Sequence, residues 1–166
     1  MLGMSEQPGT PAPGPATSPS ATPFLMFEGQ GRQAMEYYVQ TLSPHLPDTA
    51  VTHLELRTAE SPETADAPDL VGTVATGAFT VAGTAFRVFD SPVPHAFAFT
   101  PSISIFVELP SGGPDAQAEL DAVDALAEAL SAEGGHALMP PEAYGFSRRF
   151  AWVADRWGVT WQLNCA

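Results

Sequence analysis

The sequence predicts an α+β domain built from two successive modules, each a strand, a helix and three strands. Two observations carry this. A strand followed by a helix occurs twice, at residues 24–41 and 102–132, and each helix is followed by segments of strand character. The chain also closes on a strand, a tight turn at Asp155-Arg156-Trp157-Gly158 and a second strand ending near Leu163.

Residues 1–21 are read as a disordered tail. Most of that stretch is Pro, Gly, Ser and Thr, and from residue 5 onward nothing apolar is larger than Ala, so it buries too little surface to offset its ordering entropy. The folded domain spans residues 22–166. Its first module, about 22–92, opens with the short strand Phe24-Leu25-Met26-Phe27, which Gly29 breaks. Residues 30–41 then place Ala34, Tyr37, Tyr38 and Leu42 at helical spacing. Residues 51–58 alternate like a strand, and the polar Thr52, His53 and Glu55 mark it as a sheet edge or a strand with a polar face. An acidic, proline-bearing loop covers 61–69, and strands at 70–81 and 84–89 meet at the hairpin signal Ala82-Gly83.

The second module, about 97–165, repeats this order. Ser102 to Val107 alternates small polar with apolar residues, and Gly112-Gly113-Pro114 breaks the strand. The helix at 115–132 gathers Leu120, Val123, Ala127 and Leu130 on one face, with Glu119, Asp121, Asp124 and Glu128 mostly on the other. Gly134-Gly135 ends it, and strands follow at 136–139, 148–154 and 159–164.

Charge narrows the partners. Six Arg, no Lys and 19 Asp or Glu give a net charge of -13, which repels nucleic acid and anionic membrane surfaces, so neither is expected to bind. No apolar run approaches the roughly 18 residues of a membrane span, and the N-terminus lacks a signal-peptide pattern. The single cysteine, Cys165, is read as a bystander thiol at a fraying terminus, and the cytoplasm is the expected compartment.

Four stretches in this order resemble the PhnB-like branch of the glyoxalase/bleomycin-resistance/dioxygenase (vicinal oxygen chelate) superfamily, whose members are often called 3-demethylubiquinone methyltransferase-like. They are Thr22-Pro23-Phe24-Leu25-Met26-Phe27-Glu28-Gly29, Ala34-Met35-Glu36-Tyr37-Tyr38, Phe97-Ala98-Phe99-Thr100-Pro101-Ser102-Ile103-Ser104 and the closing hairpin. The resemblance covers roughly residues 22–163. It implies paired βαβββ modules forming a curved mixed sheet around a central cup, with helices outside and the ligand or metal site inside. It also implies that Gln162 stands where the family carries a metal-binding glutamate. Thr22 and Ser102 stand at positions of a His or Gln ligand, and the fourth position falls near Val88 or Asp90.

Side-chain alternation sends Val159, Trp161 and Leu163 to one face of the last strand and Thr160, Gln162 and Asn164 to the other. The expected cup lining is therefore Phe24, Met26, Ser102, Ser104, Phe150, Trp152, Thr160 and Gln162, with Tyr144 on a loop over the opening. Aromatic walls with a few polar groups suit a planar or partly apolar small molecule.

Thr22, Ser102 and Gln162 supply neutral oxygens or an amide, which do not hold zinc, nickel or iron, and Gln162 cannot accept a proton as a metal-bound glutamate would. His53 and Asp90 are the remaining weak metal candidates; His45 and His95 fall in loops and His136 on a separate strand. No strand, Gly-rich turn and acidic residue suit a nucleotide-like cofactor, which counts against a methyltransferase. The expectation is metal-free, cofactor-free binding or sequestration of a small molecule by a homodimer. Two alternatives stand beside it: a metal-dependent lyase or dioxygenase using Asp90 and His53, and a partner-recruiting protein whose own aromatics fill the cup. Removing residues 1–21 is expected to leave the midpoint of thermal unfolding within the few degrees that correspond to about 1 kcal/mol, as read by calorimetry.

Overall fold

A computed structural model describes residues 18–166. Most of the tail expected at residues 1–21 lies outside the described residues; its remainder, Ser18 to Ala21, is exposed and forms neither helix nor strand. The elements run β1 (Phe24–Phe27), α1 (Gly31–Leu42), β2 (Ala50–Leu56), β3 (Val74–Val81), β4 (Thr84–Asp90), β5 (Ile105–Glu108), α2 (Ala116–Leu130), β6 (His136–Tyr144), β7 (Ser147–Ala154) and β8 (Thr160–Cys165). They form two four-stranded mixed sheets, ordered β1-β4-β3-β2 and β5-β8-β7-β6. In each, the first strand of the module pairs in parallel with the last, and the other pairings are antiparallel. The predicted succession of strand, helix and three strands therefore holds in both modules. No helix among the described residues is long and apolar enough to cross a membrane.

Each sheet packs one face on its helix. Ala34, Met35, Tyr38 and Leu42 of α1 are fully buried, as are Val123 of α2 and Trp161, Leu163 and Cys165 of β8, and all belong to one core. Tyr38 joins the modules: its ring lies 5.9 Å from that of Phe79 on β3 and 4.9 Å from that of Trp161 on β8. Its hydroxyl donates to Asp155 Oδ2 at 2.7 Å. The Tyr37 hydroxyl also crosses between helices, donating to the carbonyl of Ala129.

A second carboxylate organises the first module. Asp90, 1% exposed at the end of β4, accepts the backbone N–H groups of Gly29 and Gly31 on Oδ1, both at 2.9 Å, and that of Val74 on Oδ2 at 2.7 Å. Helix α1 has no side-chain cap of its own, so this distant aspartate satisfies donors at its start. A Cβ on residue 31 would stand 3.0 Å from Oδ1 and 2.9 Å from Val88, which is why glycine occupies the position.

The structure corrects several local expectations. Residues 70–73 form a short 3-10 turn and bend rather than strand, because Leu70 closes a turn onto Ala67 and Thr73 onto Leu70. Ser102 and Ser104 precede β5, since a turn from Thr100 to Ile103 delays the strand. Tyr144 is the last residue of β6 rather than part of a covering loop, and its hydroxyl donates to the carbonyl of Pro140 at 3.0 Å. β6 runs through Pro140 and Pro141 because it is an edge strand, where a missing N–H is tolerated, and its register shifts there. Cys165 is not frayed: it ends β8 with no exposure, beside Pro110.

Burial raises the Asp155 carboxyl above its usual value, against the pull of donors from Trp161, Tyr38, Trp157 and Val159. Burial first, then the Asp155 charge, pushes Tyr38 well above the usual phenol range, so Tyr38 remains a donor. Tyr38→Phe removes one donor to the charged carboxylate and is expected to cost about 1.5–3 kcal/mol at neutral pH. Loss of that donor raises the folded-state pKa further, so the deficit is present above that pKa and shrinks as pH falls through it. Denaturant unfolding across pH reads this. Asp90→Ala strands three backbone donors and is expected to cost more than about 2 kcal/mol in the same measurement.

Candidate functional site

The outer face of β8 is built as side-chain alternation predicts. Trp161, Leu163 and Cys165 turn to the helices, and Thr160, Gln162 and Asn164 turn away. Gln162 lies between Phe106 of β5 and Trp152 of β7, its partners in the two ladders. Phe150 is covered by its neighbours: Tyr144 and Phe146 stack on each other at 5.7 Å and meet the Phe150 ring edge-on at 5.9 and 5.2 Å. That part of the expected lining is thus packed by its own aromatics.

At the other end of the face, four groups form a directional chain. Thr160 Oγ1 donates to the carbonyl of Ile103 at 2.8 Å, so the 2.8 Å contact between Ser104 and Thr160 must use the Ser104 proton. Ser104 Oγ in turn accepts from Trp152 Nε1 at 3.1 Å. Both hydroxyl protons are spent, and each oxygen keeps one free lone pair.

Ser104 and Thr160 border a cavity of about 470 Å³ between the β1–β4 end of the first sheet and the β5 edge of the second. Leu25, Phe86, Phe99, Ile105 and Val107 give it an apolar wall, and among the described residues Glu108 is the only titratable side chain lining it. Alternation along β1 and β4 assigns Leu25 and Phe86 to the core; the missed feature is that the core opens where the two sheets part. The chain order offers no signal for that gap.

The remaining expected residues disperse. Phe24 and Met26 line a different hollow of about 500 Å³, with Glu28, Phe97, Arg156 and Trp157. Phe150, Trp152 and Gln162 line neither of these two spaces. Thr22 is exposed and outside any strand, and Ser102 is exposed with its hydroxyl 3.2 Å from that of Thr100.

The donor set does not fit the metal that the fold family implies. Gln162 offers an amide where a carboxylate is needed, and among the described residues no three His, Cys, Asp or Glu side chains converge. Asp90 and His53 are not brought together either. Asp90 is turned inward onto backbone N–H groups, whereas His53 Nε2 lies 3.0 Å from Thr76 Oγ1 on the outer face. Strand spacing separates the two by roughly 10–15 Å. A methyl donor finds no seat where strand, glycines and helix meet, between β1 and α1. The N–H groups of Gly29 and Gly31 already hold the chain's own carboxylate.

Comparison with known proteins agrees with this architecture. Residues 19–164 match the family model described as 3-demethylubiquinone-9 3-methyltransferase. The PhnB protein from Bacillus cereus is 31% identical over 89% of this chain and 100% of that one, with a TM-score of 0.72. A protein from Pseudomonas aeruginosa is 27% identical over 89% of this chain and 98% of that one, at 0.66. The fosfomycin resistance protein FosX from Listeria monocytogenes, 11% identical over 91% of this chain and 95% of that one, shares the fold at 0.55. Among curated proteins none matches. With its two βαβββ modules and a family match across nearly all of the described residues, the chain belongs to the 3-demethylubiquinone-9 3-methyltransferase-like, PhnB family of the glyoxalase/bleomycin-resistance superfamily.

Proposed function

We propose that this protein binds or sequesters a small, mostly apolar molecule bearing one hydroxyl or amino donor, without a metal, in the cavity between its sheets. The observation that carries this reading is the Trp152–Ser104–Thr160–Ile103 chain at the edge of that apolar space. Its two free lone pairs can only accept, so a ligand gains by donating. The volume falls within the range of small-molecule sites. Binding rather than catalysis is favoured because Glu108 is exposed and has no second titratable group in the lining to act with it.

The same reading makes the protein a cytoplasmic homodimer. Phe106 on β5 and Phe146 on the β6–β7 turn are 55% and 66% exposed, and a second copy would cover surface of this kind. An unpaired thiol suits a reducing compartment.

The test uses 1-naphthol, which carries a donor, and 1-methoxynaphthalene, which does not, followed by tryptophan fluorescence. The wild type is expected to prefer 1-naphthol by about two- to tenfold, the worth of one hydrogen bond, with or without chelator. Ser104→Ala together with Thr160→Val is expected to erase that preference while 1-methoxynaphthalene still binds. Equal affinity of the wild type for both compounds, or dependence on added metal, would overturn the proposal.

A further inference from the structure

We propose a second site, for a small aromatic carboxylate, on the outer face of the first sheet. It lies in a hollow of about 240 Å³ lined by Phe24, His53, Glu55, Thr76, Ala78 and Arg87. Four of these residues form one rung across all four strands: Phe24 pairs with Arg87, Arg87 with Ala78, and Ala78 with His53. The small Ala78 in the middle makes the floor, with an aromatic ring and a guanidinium on one side and an imidazole on the other.

Arg87 is the reason to expect an anion. Among the described residues, the other five arginines are each engaged: Arg32 with Glu36, Arg57 with the carbonyls of Val74 and Asp90, Arg148 with Glu119, Arg149 with Asp124, and Arg156 with Glu133. Arg87 has no such side-chain partner, in a chain that carries 19 acidic residues and a net charge of -13. A guanidinium fork matches a carboxylate in a two-point contact, and the exposed ring of Phe24, 6.2 Å from Phe89, offers a face to a planar group.

Glu55 opposes an anion, but it belongs to the neighbouring rung and is engaged by the Thr76 hydroxyl at 3.2 Å. Because that hydroxyl donates to Glu55, its contact with His53 makes Nε2 the protonated nitrogen of the neutral ring and leaves Nδ1 as an acceptor. The hollow therefore pairs a carboxylate anchor with an acceptor for a ring substituent that donates. Its volume, below that of drug-sized sites, limits the ligand to a single ring.

Calorimetric titration of the full chain with 4-hydroxybenzoate tests this, with 4-hydroxybenzamide as the neutral counterpart. Saturable binding of the acid is expected, with the amide weaker by about tenfold or more. Arg87→Met is expected to lose about ten- to a hundredfold in affinity for the acid, and Ala78→Leu, which fills the floor from the solvent side, is expected to abolish binding. Both variants should keep the wild-type melting temperature and their binding of 1-naphthol, which separates this site from the cavity between the sheets. Absence of saturable binding, equal affinity for acid and amide, or an unchanged affinity in Arg87→Met would overturn the proposal.

Discussion

The fold depends on what happens around the carboxylate of Asp155. One oxygen takes the backbone N–H groups of Trp157 and Val159, at 2.9 and 3.1 Å, and so shapes the turn between β7 and β8. The other takes the Tyr38 hydroxyl at 2.7 Å and the Trp161 indole at 3.0 Å. A single side chain thus sets the closing hairpin and ties it to the helix of the opposite module. Its burial opposes ionisation, and the four donors are what offset that cost. Without them the desolvation of a buried carboxylate would go uncompensated and weaken the contact between the two modules.

Asp90 plays the related part within the first module, holding the start of α1 and the start of β3 to the end of β4. Arg57 closes the same region by donating to the carbonyl of Asp90 at 3.0 Å and lying 5.3 Å from the centre of the Phe89 ring. The two aspartates are not at equivalent places in the repeat, since Asp90 ends the last strand of its module and Asp155 follows the third strand of its own. The modules share strand order without sharing the polar groups that secure it. That is consistent with sequences that have diverged while the backbone pattern persisted.

Much of the fold was legible because hydrophobic spacing and turn residues act locally. The alternation of Trp161 and Leu163 against Thr160 and Gln162 names the buried face of β8, and Ala82-Gly83 names the β3–β4 hairpin, where both residues adopt positive φ of 47 and 80°. The site was less legible because it depends on how two sheets meet. Ser104 and Thr160 do share a cavity wall, whereas Phe24 and Met26 face a different space, since strand parity gives the side of a sheet and not what stands opposite it. Asp90 was misleading for another reason: an acidic residue at a strand end looks the same in sequence whether it awaits a cation or gathers backbone donors.

The burial of Cys165 gives the molecule an internal reporter. The thiol ends the strand at the centre of the second sheet and has no accessible surface, so a modifying reagent can reach it only when that sheet opens. Because it is the chain's sole cysteine, no disulfide exchange within the chain competes with that event. Its rate of alkylation therefore measures how often the end of β8 leaves the second sheet, and a ligand that stabilises that sheet will slow it in proportion to occupancy.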